Sequence, residues 1–583
     1  MRLRLIAVLI FVLFTPLLLP AQWSTNPAIN LTICDTMGEQ VLPKIARTTD
    51  GGCYIGWFDS RSSGYAVYLQ KLDINGNKLF PPNGLLISNN PQSTSLVDWD
   101  LAVDDSNCCV LAFTDTRAGS SINPYAYRIS PSGQFLWGAN GIALTDSVTV
   151  YQANPKVIVT SDGNFVIPWQ YNNKIAMQKI TKAGTKPWGS VPIMVIGNPS
   201  INEKFNYPTG VQSDAGSIIL YWIGYTGSFI SPANYKLYTQ KYSPAGTGLW
   251  GTPQDTIWNL GNAQGFYQPS VYSDGNNGAV YVWQSFLTGP TVCYVQRKNS
   301  SGQIQFPVNG SAVTTTGATM LNFAPSASYM PSTGETYVFW QRKNSLQSLI
   351  GVYGQKFSPN GTRLWADSGA VFKSLDPNSF ASLNVITRDS NVYVYYAEIL
   401  SGSINGLIKA FKSDRNGVIG WGGSILTPGS YTGEKGRMSV TMNTAGMSML
   451  AFSDSRIDAY GMYAQNINPN GSFGPPVGIT PIGNIIPSKF ELEQNYPNPF
   501  NPVTKIKFSI TALSFPNAPI GNPATVLRVY DILGREIRTL VNENLQPGTY
   551  EITFDAENIS SGIYFYKLSM GVFSDIKRMV LVK

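Results

Sequence analysis

The chain has 583 residues and a formal charge of +7, and only 13 % of its residues are charged. This length allows three or four domains of about 150 residues, or fewer if one of them is a large all-β unit. The 55 Gly, 38 Pro, 31 Tyr, 27 Phe and 13 Trp residues predict many short strands joined by tight turns. This composition excludes a disordered chain and a charged helical rod.

Histidine is absent from the chain. Its absence excludes the usual general base near neutral pH, Ser-His and Cys-His nucleophile pairs, and histidine-ligated metal sites. No calcium loop of the Asp-x-Asp-x-Asp type occurs, so we expect no metal and no cofactor. The positive charge is weak and no Lys/Arg-rich run exists, so we expect no nucleic-acid partner.

The first 21 residues have the pattern of a cleaved export signal. Arg2 and Arg4 are followed by an unbroken apolar run from Leu5 to Phe14, and Leu19-Pro20-Ala21 offers a small-residue cleavage site before Gln22. A membrane anchor would need roughly 20 apolar residues, and Pro16 interrupts this run. We therefore expect a signal peptide at residues 1–21.

Five cysteines follow the signal segment, with spacings that match no zinc pattern. In an oxidising compartment one disulfide could form, and Cys34 and Cys53 are the nearest candidates. The alternative is that all five are buried thiols that act as small apolar residues. The five are Cys34, Cys53, Cys108, Cys109 and Cys293.

One segment recurs eight times between residues 65 and 475. In most copies a strand-like run reaches a Gln, a polar turn with Gly follows, and an aromatic residue stands four positions after the Gly. The Gln is Gln70, Gln178, Gln240, Gln296, Gln355 or Gln465, and two copies have Tyr127 or Phe411 instead. The glycines, 51 to 62 residues apart, are Gly76, Gly133, Gly184, Gly246, Gly302, Gly361, Gly417 and Gly471, and the aromatics are Phe80, Trp137, Trp188, Trp250, Phe306, Trp365 and Trp421. Only the last copy, with Pro475, lacks the aromatic.

Each copy also contains two earlier strand-like runs and one later run, and the earliest is often opened by Pro. Four strands in about 56 residues is the layout of a β-propeller blade. The run Ile29–Ile33 resembles an outer strand without its own inner three, which favours a ring closed by the N-terminal strand. The sequence therefore predicts an all-β chain with an eight-bladed β-propeller at residues 22–480. Two sandwich domains are the alternative.

Three copies end their second strand with an aromatic-x-Asp-x-Arg pattern, and in a closed ring these copies are neighbours. One interpretation is a charged patch that binds a ligand. The other is an Asp–Arg pair that holds each loop, and such pairs contribute only about 0–1 kcal/mol when they are exposed. The candidate ligand-binding residues are Asp59, Arg61, Asp115, Arg117, Asp454 and Arg456.

No catalytic constellation stands out. Sialidases are secreted propellers that work without histidine, but their repeated turn resembles Ser161-Asp162-Gly163 only loosely. We therefore assign no catalytic residue and favour a non-catalytic surface protein that binds glycan or protein, in adhesion or nutrient capture. The alternative is a secreted hydrolase, a carboxylate-based or sialidase-like glycosidase with its acids in the central opening of the ring.

The repeat ends and the composition changes after Gly474. Several prolines there predict a linker at residues 481–489. Beyond it, runs such as Lys505–Ile510, Val526–Tyr530 and Tyr564–Leu568 alternate with Gly and Pro turns and predict a small β-sandwich at residues 490–583. The most distinctive residues of this region are Asn495, Tyr496, Pro497, Asn498, Pro499, Phe500, Gly534, Gly562, Tyr564, Lys577 and Lys583.

These motifs closely resemble, in order, the type A C-terminal sorting domain of the type IX secretion system. The resemblance implies an immunoglobulin-like domain that an outer-membrane translocon of a Gram-negative bacterium recognises. It further implies passage through the periplasm to the cell surface or medium, and possible attachment to surface lipopolysaccharide after cleavage. One departure is the stretch Ala512–Thr525, which is longer than the family's usual connection.

Overall fold

The computed structural model describes residues 22–583 apart from 63, 93–97, 120, 148, 229–231, 252, 262–269, 287–289, 316–318, 458, 477–478, 482–486, 488, 512–524, 544, 546, 558 and 572. The predicted signal segment lies outside the described residues, as does the long connection before Thr525. The chain divides into two compact units, residues 1–466 and 467–583.

The described chain is all-β, as the sequence predicted. Its only helical turns are three short 3-10 segments, Pro199–Ile201, Asp214–Gly216 and Trp421–Gly423. In the part of the chain that is described, no helix is long and apolar enough to cross a membrane.

The first unit contains six separate antiparallel sheets, numbered here 1 to 6 in chain order. After β1 (Leu31–Cys34), sheet 1 contains β2 (Gln40–Arg47), β3 (Cys53–Asp59), β4 (Tyr65–Leu72) and β5 (Leu85–Gln92), and sheet 2 contains β6 (Asp100–Val103), β7 (Cys109–Asp115), β8 (Asn123–Ile129) and β9 (Ile142–Ala143). Sheet 3 contains β10 (Gln152–Ala153), β11 (Ile158–Val159), β12 (Phe165–Tyr171), β13 (Lys174–Ile180) and β14 (Ile193–Val195), and sheet 4 contains β15 (Lys204–Gln212), β16 (Ile218–Gly227), β17 (Pro232–Tyr242) and β18 (Asp255–Trp258). Sheet 5 contains β19 (Ser270–Ser273), β20 (Ala279–Ser285), β21 (Val292–Lys298) and β22 (Ser311–Ala312), and sheet 6 contains β23 (Leu321–Met330), β24 (Glu335–Lys343), β25 (Ile350–Phe357) and β26 (Ala370–Asp376).

A seventh sheet has seven strands, in the order β1-β32-β31-β30-β29-β28-β27. The long strand β30 pairs with β29 through residues 426–434 and with β31 through residues 435–442. We call the two halves that share β30 sheet 7 and sheet 8. The strands are β27 (Ser379–Arg388), β28 (Asn391–Ile399), β29 (Asn405–Asp414), β30 (Leu426–Met442), β31 (Ser448–Asp454) and β32 (Gly461–Ile467).

The N-terminal strand β1 completes sheet 8, as the sequence predicted. It pairs antiparallel with β32, and Leu31 lies opposite Ala464. The first strands of consecutive sheets contact one another in the order β2, β6, β11, β15, β19, β23, β27 and β30, and β30 contacts β2 again. The sequence of sheet-to-sheet contacts therefore returns to its start.

The core of this unit lies between consecutive sheets. Strands β3, β7, β20 and β31 are buried along their whole length, which explains why they read as near-continuous apolar runs. One cluster joins sheets 1 and 2 around Phe58, Trp99 and Phe113, and another joins sheets 8 and 1 around Trp57 and Met449.

The repeated Gln holds the hairpin that follows the third strand. In sheet 1 the fully buried Gln70 accepts a hydrogen bond from the Phe80 backbone N–H (2.9 Å) and donates one to the Pro81 carbonyl (2.8 Å). Gln240, Gln296 and Gln355 make the corresponding pair of bonds in their own sheets. A buried amide with its hydrogen bonds satisfied fixes the aromatic residue relative to the strand.

The repeated Gly receives the aromatic side chain of the preceding copy. All eight glycines have positive φ, which glycine adopts at little cost. A Cβ atom added at Gly302 would lie 2.8 Å from the Trp250 ring, and one at Gly361 would lie 2.6 Å from the Phe306 ring. Gly at these positions therefore serves both the turn and the close approach of the neighbouring sheet.

Trp23 replaces the aromatic residue that the last copy lacks. It is 2 % exposed and lies against Gly76 of the first copy. Its indole N–H donates to the Ile74 carbonyl (2.9 Å), two residues before that Gly. Trp137 and Trp188 donate to the residue at the same position of their neighbours, Lys182 and Pro244. The N-terminal segment therefore supplies both a strand and an aromatic side chain to the contact between sheets 8 and 1.

The prolines expected to open the first strands lie inside or beside them instead. Pro43 and Pro325 are within β2 and β23, where the pairing register shifts, and the preceding Leu42 and Ala324 have positive φ. Proline suits these positions because a bulge interrupts the ladder, so no N–H donor is missing. The first strands are therefore longer than predicted and bent at the proline.

The second unit contains two four-stranded antiparallel sheets around one core, which includes Ile506, Phe508, Leu527 and Tyr566. One sheet has the order β33-β38-β35-β34 and the other β37-β36-β39-β40. The strands are β33 (Ile479–Pro481), β34 (Glu491–Leu492), β35 (Val503–Ile510), β36 (Thr525–Tyr530), β37 (Glu536–Glu543), β38 (Gly548–Asp555), β39 (Gly562–Met570) and β40 (Phe573–Leu581). The immunoglobulin-like topology stays a prediction.

All five cysteines are buried and unpaired. The possible Cys34–Cys53 disulfide is therefore not formed, and the alternative of buried thiols describes the structure. Burial raises the pKa of the Cys53 and Cys109 thiols, which makes them poor nucleophiles.

Replacing Trp23 with Ala should destabilise the first unit strongly. Loss of a buried Trp side chain costs about 3–5 kcal/mol, and no other residue of the last copy fills the place beside Gly76. Trp23→Phe should cost less than Trp23→Ala, because an aromatic ring still packs beside Gly76, while part of the buried ring volume and the indole hydrogen bond, worth about 1 kcal/mol, are lost. Urea unfolding of the three proteins measures this order. Leu136→Ala, at an exposed position, is the control, and equal midpoints for Trp23→Ala and Leu136→Ala would contradict the assigned role of Trp23.

Candidate functional site

The three predicted Asp–Arg pairs lie at the ends of β3, β7 and β31, on neighbouring sheets. Asp59 is fully buried and accepts hydrogen bonds from the Arg61 Nε–H (2.9 Å), the Arg61 backbone N–H (3.0 Å) and the Trp57 indole N–H (2.9 Å). Burial alone would raise the pKa of the Asp59 carboxyl, but the hydrogen bonds from Arg61 and Trp57 lower it. The carboxylate therefore stays charged and holds the arginine in place.

Each arginine is held between its Asp and a tyrosine ring. The guanidinium carbons of Arg61, Arg117 and Arg456 lie 4.0, 3.8 and 4.0 Å from the ring centres of Tyr68, Tyr125 and Tyr463. Their remaining N–H groups donate to backbone carbonyls, those of Asn83 (3.1 Å), Asn140 (2.7 Å) and Ile29 (2.5 Å). In this arrangement the arginines connect the second strand to the segment that leads into the outer strand.

The pairs are more buried than the sequence analysis assumed. The carboxylates of Asp59, Asp115 and Asp454 are fully buried, so the value of about 0–1 kcal/mol for exposed pairs does not apply. Binding of a ligand by these six residues stays a prediction. The contacts already made by the guanidinium groups favour the interpretation that the pairs hold their loops.

Sequence reasoning missed two related cations. Arg342 follows Trp340 without an intervening Asp, and its Nε–H donates to Asn322 (3.1 Å) while its Nη1–H donates to the Ser368 carbonyl (2.7 Å). Lys435 is buried against Asp454, with 2.9 Å between Nζ and Oδ2. The partners of these two cations are about twenty or more residues away in the sequence. The sequence signal that could have indicated the two cations is a basic residue near a strand end with no acidic residue close by.

Replacing Arg117 with Ala should lower the free energy of unfolding by about 3–5 kcal/mol, because it leaves a buried carboxylate without its partner. Arg363→Ala is the matched control, since this arginine pairs with Asp367 at a more exposed position and should cost at most about 1 kcal/mol. Chemical denaturation of both variants measures the difference. Similar small losses in the two variants would show that Asp115 and Arg117 do not hold their loop.

A polar groove of about 510 Å³ lies on the first strands of sheets 5, 6 and 7. Two glutamines near the ends of second strands form hydrogen bonds with the first strand of the next sheet. Gln284 accepts from the Ala324 N–H (2.8 Å), and Gln341 donates to the Phe380 carbonyl (2.9 Å). The volume is in the range of small-molecule sites. The described residues that line the groove include aromatic, hydroxyl and amide side chains and one lysine, Lys343. None of these described residues carries a carboxylate.

A charged cluster joins the first strands of sheets 1, 2 and 3. The Asp98 carboxylate pairs with Lys156 and with Lys44, the latter at 2.8 Å between Nζ and Oδ1. Burial opposes ionisation of Asp98, but the charges of Lys156 and Lys44 hold its pKa far below the usual range. A carboxyl that stays ionised in this way is unsuited to act as a general acid.

Tyrosines and glutamates meet where sheets 8 and 1 adjoin. Tyr65 donates a hydrogen bond to Glu39. Burial raises the pKa of Tyr460, and a hydrogen bond to Glu434 together with the charge of Glu39 raises it further. Two carboxylates beside one phenol are the kind of group that a carboxylate-based hydrolase needs.

Most distinctive residues of the C-terminal unit have structural roles. Asn495 is buried and donates to Thr504 (2.9 Å), and Phe500 belongs to the core and exchanges backbone hydrogen bonds with Val580 and Val582. Tyr564 donates to the Ser560 carbonyl (2.8 Å), and the Lys583 N–H donates to Ser561 (3.0 Å).

Exposed apolar side chains of the same unit lie in the Tyr496 region and in the turn between β36 and β37. Tyr496 is 80 % exposed, and Ile532 and Leu533 precede Gly534, which has positive φ. These side chains do not contribute to the core of the unit.

Residues 494–583 match the family model described as a secretion system C-terminal sorting domain. These residues are a type IX secretion sorting domain. The resemblance seen in the sequence is thereby confirmed, and it implies secretion to the cell surface or the extracellular space through the type IX system. The match lies within the second unit.

No curated protein matches the chain. Solved structures that match the chain include the polysaccharide lyase Uly1 (12 % identity, TM-score 0.39, 73 % of this chain and 89 % of that one) and a puromycin hydrolase (11 % identity, TM-score 0.39, 75 % and 61 %). The endo-arabinase of Bacteroides thetaiotaomicron VPI-5482 also matches (12 % identity, TM-score 0.24, 53 % and 92 %). TM-scores this low support no conclusion about the activity of this chain.

Deleting residues Lys577–Lys583 should leave the protein in the periplasm. The deletion removes half of β40, whose residues pair with β39 and bond to Phe500, so the domain cannot form for recognition. Immunoblots of periplasm, surface and medium measure the location of the deleted and the full-length chain. Lys174→Ala, an exposed change in the first unit, is the control, and normal amounts of the deleted protein at the surface or in the medium would contradict the assignment.

Proposed function

We propose that the first unit is an eight-bladed β-propeller that binds glycan or protein at the surface of the exporting bacterium without catalysis. Its support is the recurrence of four-stranded units, the cyclic order of contacts between first strands and the pairing of β1 with β32. The proposal divides the chain into a signal peptide at 1–21, a propeller within 22–480, a linker at 481–489 and a sorting domain at 490–583. The partners are the type IX translocon, a surface ligand and, after cleavage, lipopolysaccharide.

The observation that carries the binding proposal is the groove on sheets 5, 6 and 7. Aromatic rings beside amide and hydroxyl groups can stack on and hydrogen-bond to a sugar or a peptide side chain. Tyr272 lies in the groove and shares a hydrogen bond with Ser326 (3.2 Å). The described lining offers no carboxylate that could act as acid or nucleophile, so binding without turnover suits it best.

Purified mature protein should retain a ligand from a panel of glycans and surface proteins and leave it chemically unchanged. Tyr272→Ala should weaken capture about tenfold, since loss of an aromatic contact costs about 0.5–1.5 kcal/mol beyond area burial. Tyr235→Ala, in a separate groove on sheet 4, is the matched control. Affinity is measured by calorimetry and turnover by chromatography of the ligand. Absence of binding across the panel, or equal effects of the two variants, would contradict the proposal.

The second candidate is a secreted hydrolase that uses the cluster of Glu39, Glu434 and Tyr460. Its support is the position of one phenol beside two carboxylates. If it is correct, the same panel yields a cleaved product, and Glu434→Gln removes turnover while substrate is still bound. Retained turnover in Glu434→Gln and Glu39→Gln would exclude this cluster as the catalytic site.

A further inference from the structure

Lys343 is the one cation among the described residues that line the groove on sheets 5, 6 and 7. It ends β24, and its ammonium nitrogen lies 5.0 Å from the centre of the Phe323 ring. It is half-buried, and burial lowers the pKa of its side chain with no charged neighbour to offset the effect. A lysine in this situation loses hydration without gaining a counter-charge.

The lysines of this unit that are buried, and not half-buried like Lys343, have carboxylate partners. Lys241 pairs with Asp214, Lys298 with Asp255 and Lys435 with Asp454. Within the described chain, no carboxylate oxygen lies within ion-pair distance of Lys343. An unpaired cation at the side of a preformed groove is a place where an anionic group of a ligand can be bound.

Hydrogen bonds join the sheets that surround the groove. Gln284 and Gln341 are each bonded to the backbone of the next sheet, which fixes the distance between the first strands of sheets 5, 6 and 7. Ala324 and Ser382 keep positive φ in the bulges of β23 and β27. A groove that is preformed in this way loses little entropy on binding.

The bulges in β23 and β27 favour a sugar over an extended peptide as the ligand. An extended peptide binds to a sheet by pairing with a continuous strand edge. In β23 and β27 the register shifts beside the groove, and such bulges interrupt pairing. The neutral lining of amides, hydroxyls and aromatic rings suits the hydroxyl groups and faces of sugar rings better than a peptide backbone.

We infer that the groove binds an acidic oligosaccharide, one that contains uronic-acid units, and that Lys343 binds its carboxylate. Gln284 and Gln341 hold the strands between which the sugar rings lie. Tyr272 offers an aromatic face, and the half-buried Ser382 hydroxyl offers a hydrogen bond. This inference rests on the proposed binding function and names the class of its ligand.

The test uses the mature full-length protein and two matched probes. One is a set of oligogalacturonates and oligoglucuronates of four to six units, and the other is the same oligomers after reduction of their carboxyl groups to alcohols. The two differ only at the reduced position, where an uncharged hydroxymethyl group replaces the carboxylate. Calorimetry should give at least about tenfold tighter binding for an acidic oligomer, because a charge-assisted hydrogen bond is lost on reduction.

Lys343→Gln should weaken binding of the acidic oligomer by at least about tenfold and leave binding of its reduced form unchanged. Lys412→Gln is the matched control, since Lys412 is also half-buried and lies 5.7 Å from the Tyr393 ring centre but is not in the groove; it should change neither affinity. Comparison of the two oligomers with unchanged protein remains informative even if Lys343→Gln does not fold.

Several outcomes would overturn the inference. Equal affinity of unchanged protein for the acidic and reduced oligomers would leave a binding function but remove the role of charge. Binding of polyglutamate through Lys343, without binding of any uronate, would assign the groove to an acidic peptide. Failure of every uronate to bind, while another glycan or protein does, would overturn the ligand class alone. Failure of every ligand would overturn the proposed function as well.

Discussion

The first unit depends on one repeated contact, in which the aromatic side chain of one copy packs against the positive-φ Gly of the next. Trp250 against Gly302 and Phe306 against Gly361 are examples. A side chain at either of these two glycines would meet the ring, and their positive φ suits the turn. The buried Gln of the same hairpin fixes the aromatic residue through two hydrogen bonds. Trp23 provides the same contact for the last copy, so the N terminus takes part in it.

This contact places the elements that can carry function. The first strands of consecutive sheets contact one another, and they line the groove and the charged cluster. The loops after the second strands are held by Arg61, Arg117 and Arg456 through buried carboxylates and tyrosine rings. The groove is built from three separate sheets, which are joined by hydrogen bonds from Gln284 and Gln341.

The repeat was predictable because Gln, Gly and the aromatic residue stand at nearly fixed spacing. All three lie close together in the chain, and together they form the hairpin after the third strand. The pairing of β1 with β32 was also predictable, since the run Ile29–Ile33 had no partners nearby. The role of Trp23 was not, because its partner Gly76 lies some fifty residues away. The Asp–Arg pattern was visible, but its burial depends on tyrosines of the adjoining strand. The partners of Arg342 and Lys435, and the unpaired state of Lys343, follow only from the fold.

The N-terminal segment joins the last sheet to the first. An experimental density map of the mature chain, by crystallography or electron cryomicroscopy, tests it most directly. We expect eight four-stranded units, with β1 beside β32 and the indole of Trp23 on Gly76. Seven units, two separate sandwiches, or a Trp23 side chain that lies away from Gly76 would contradict it.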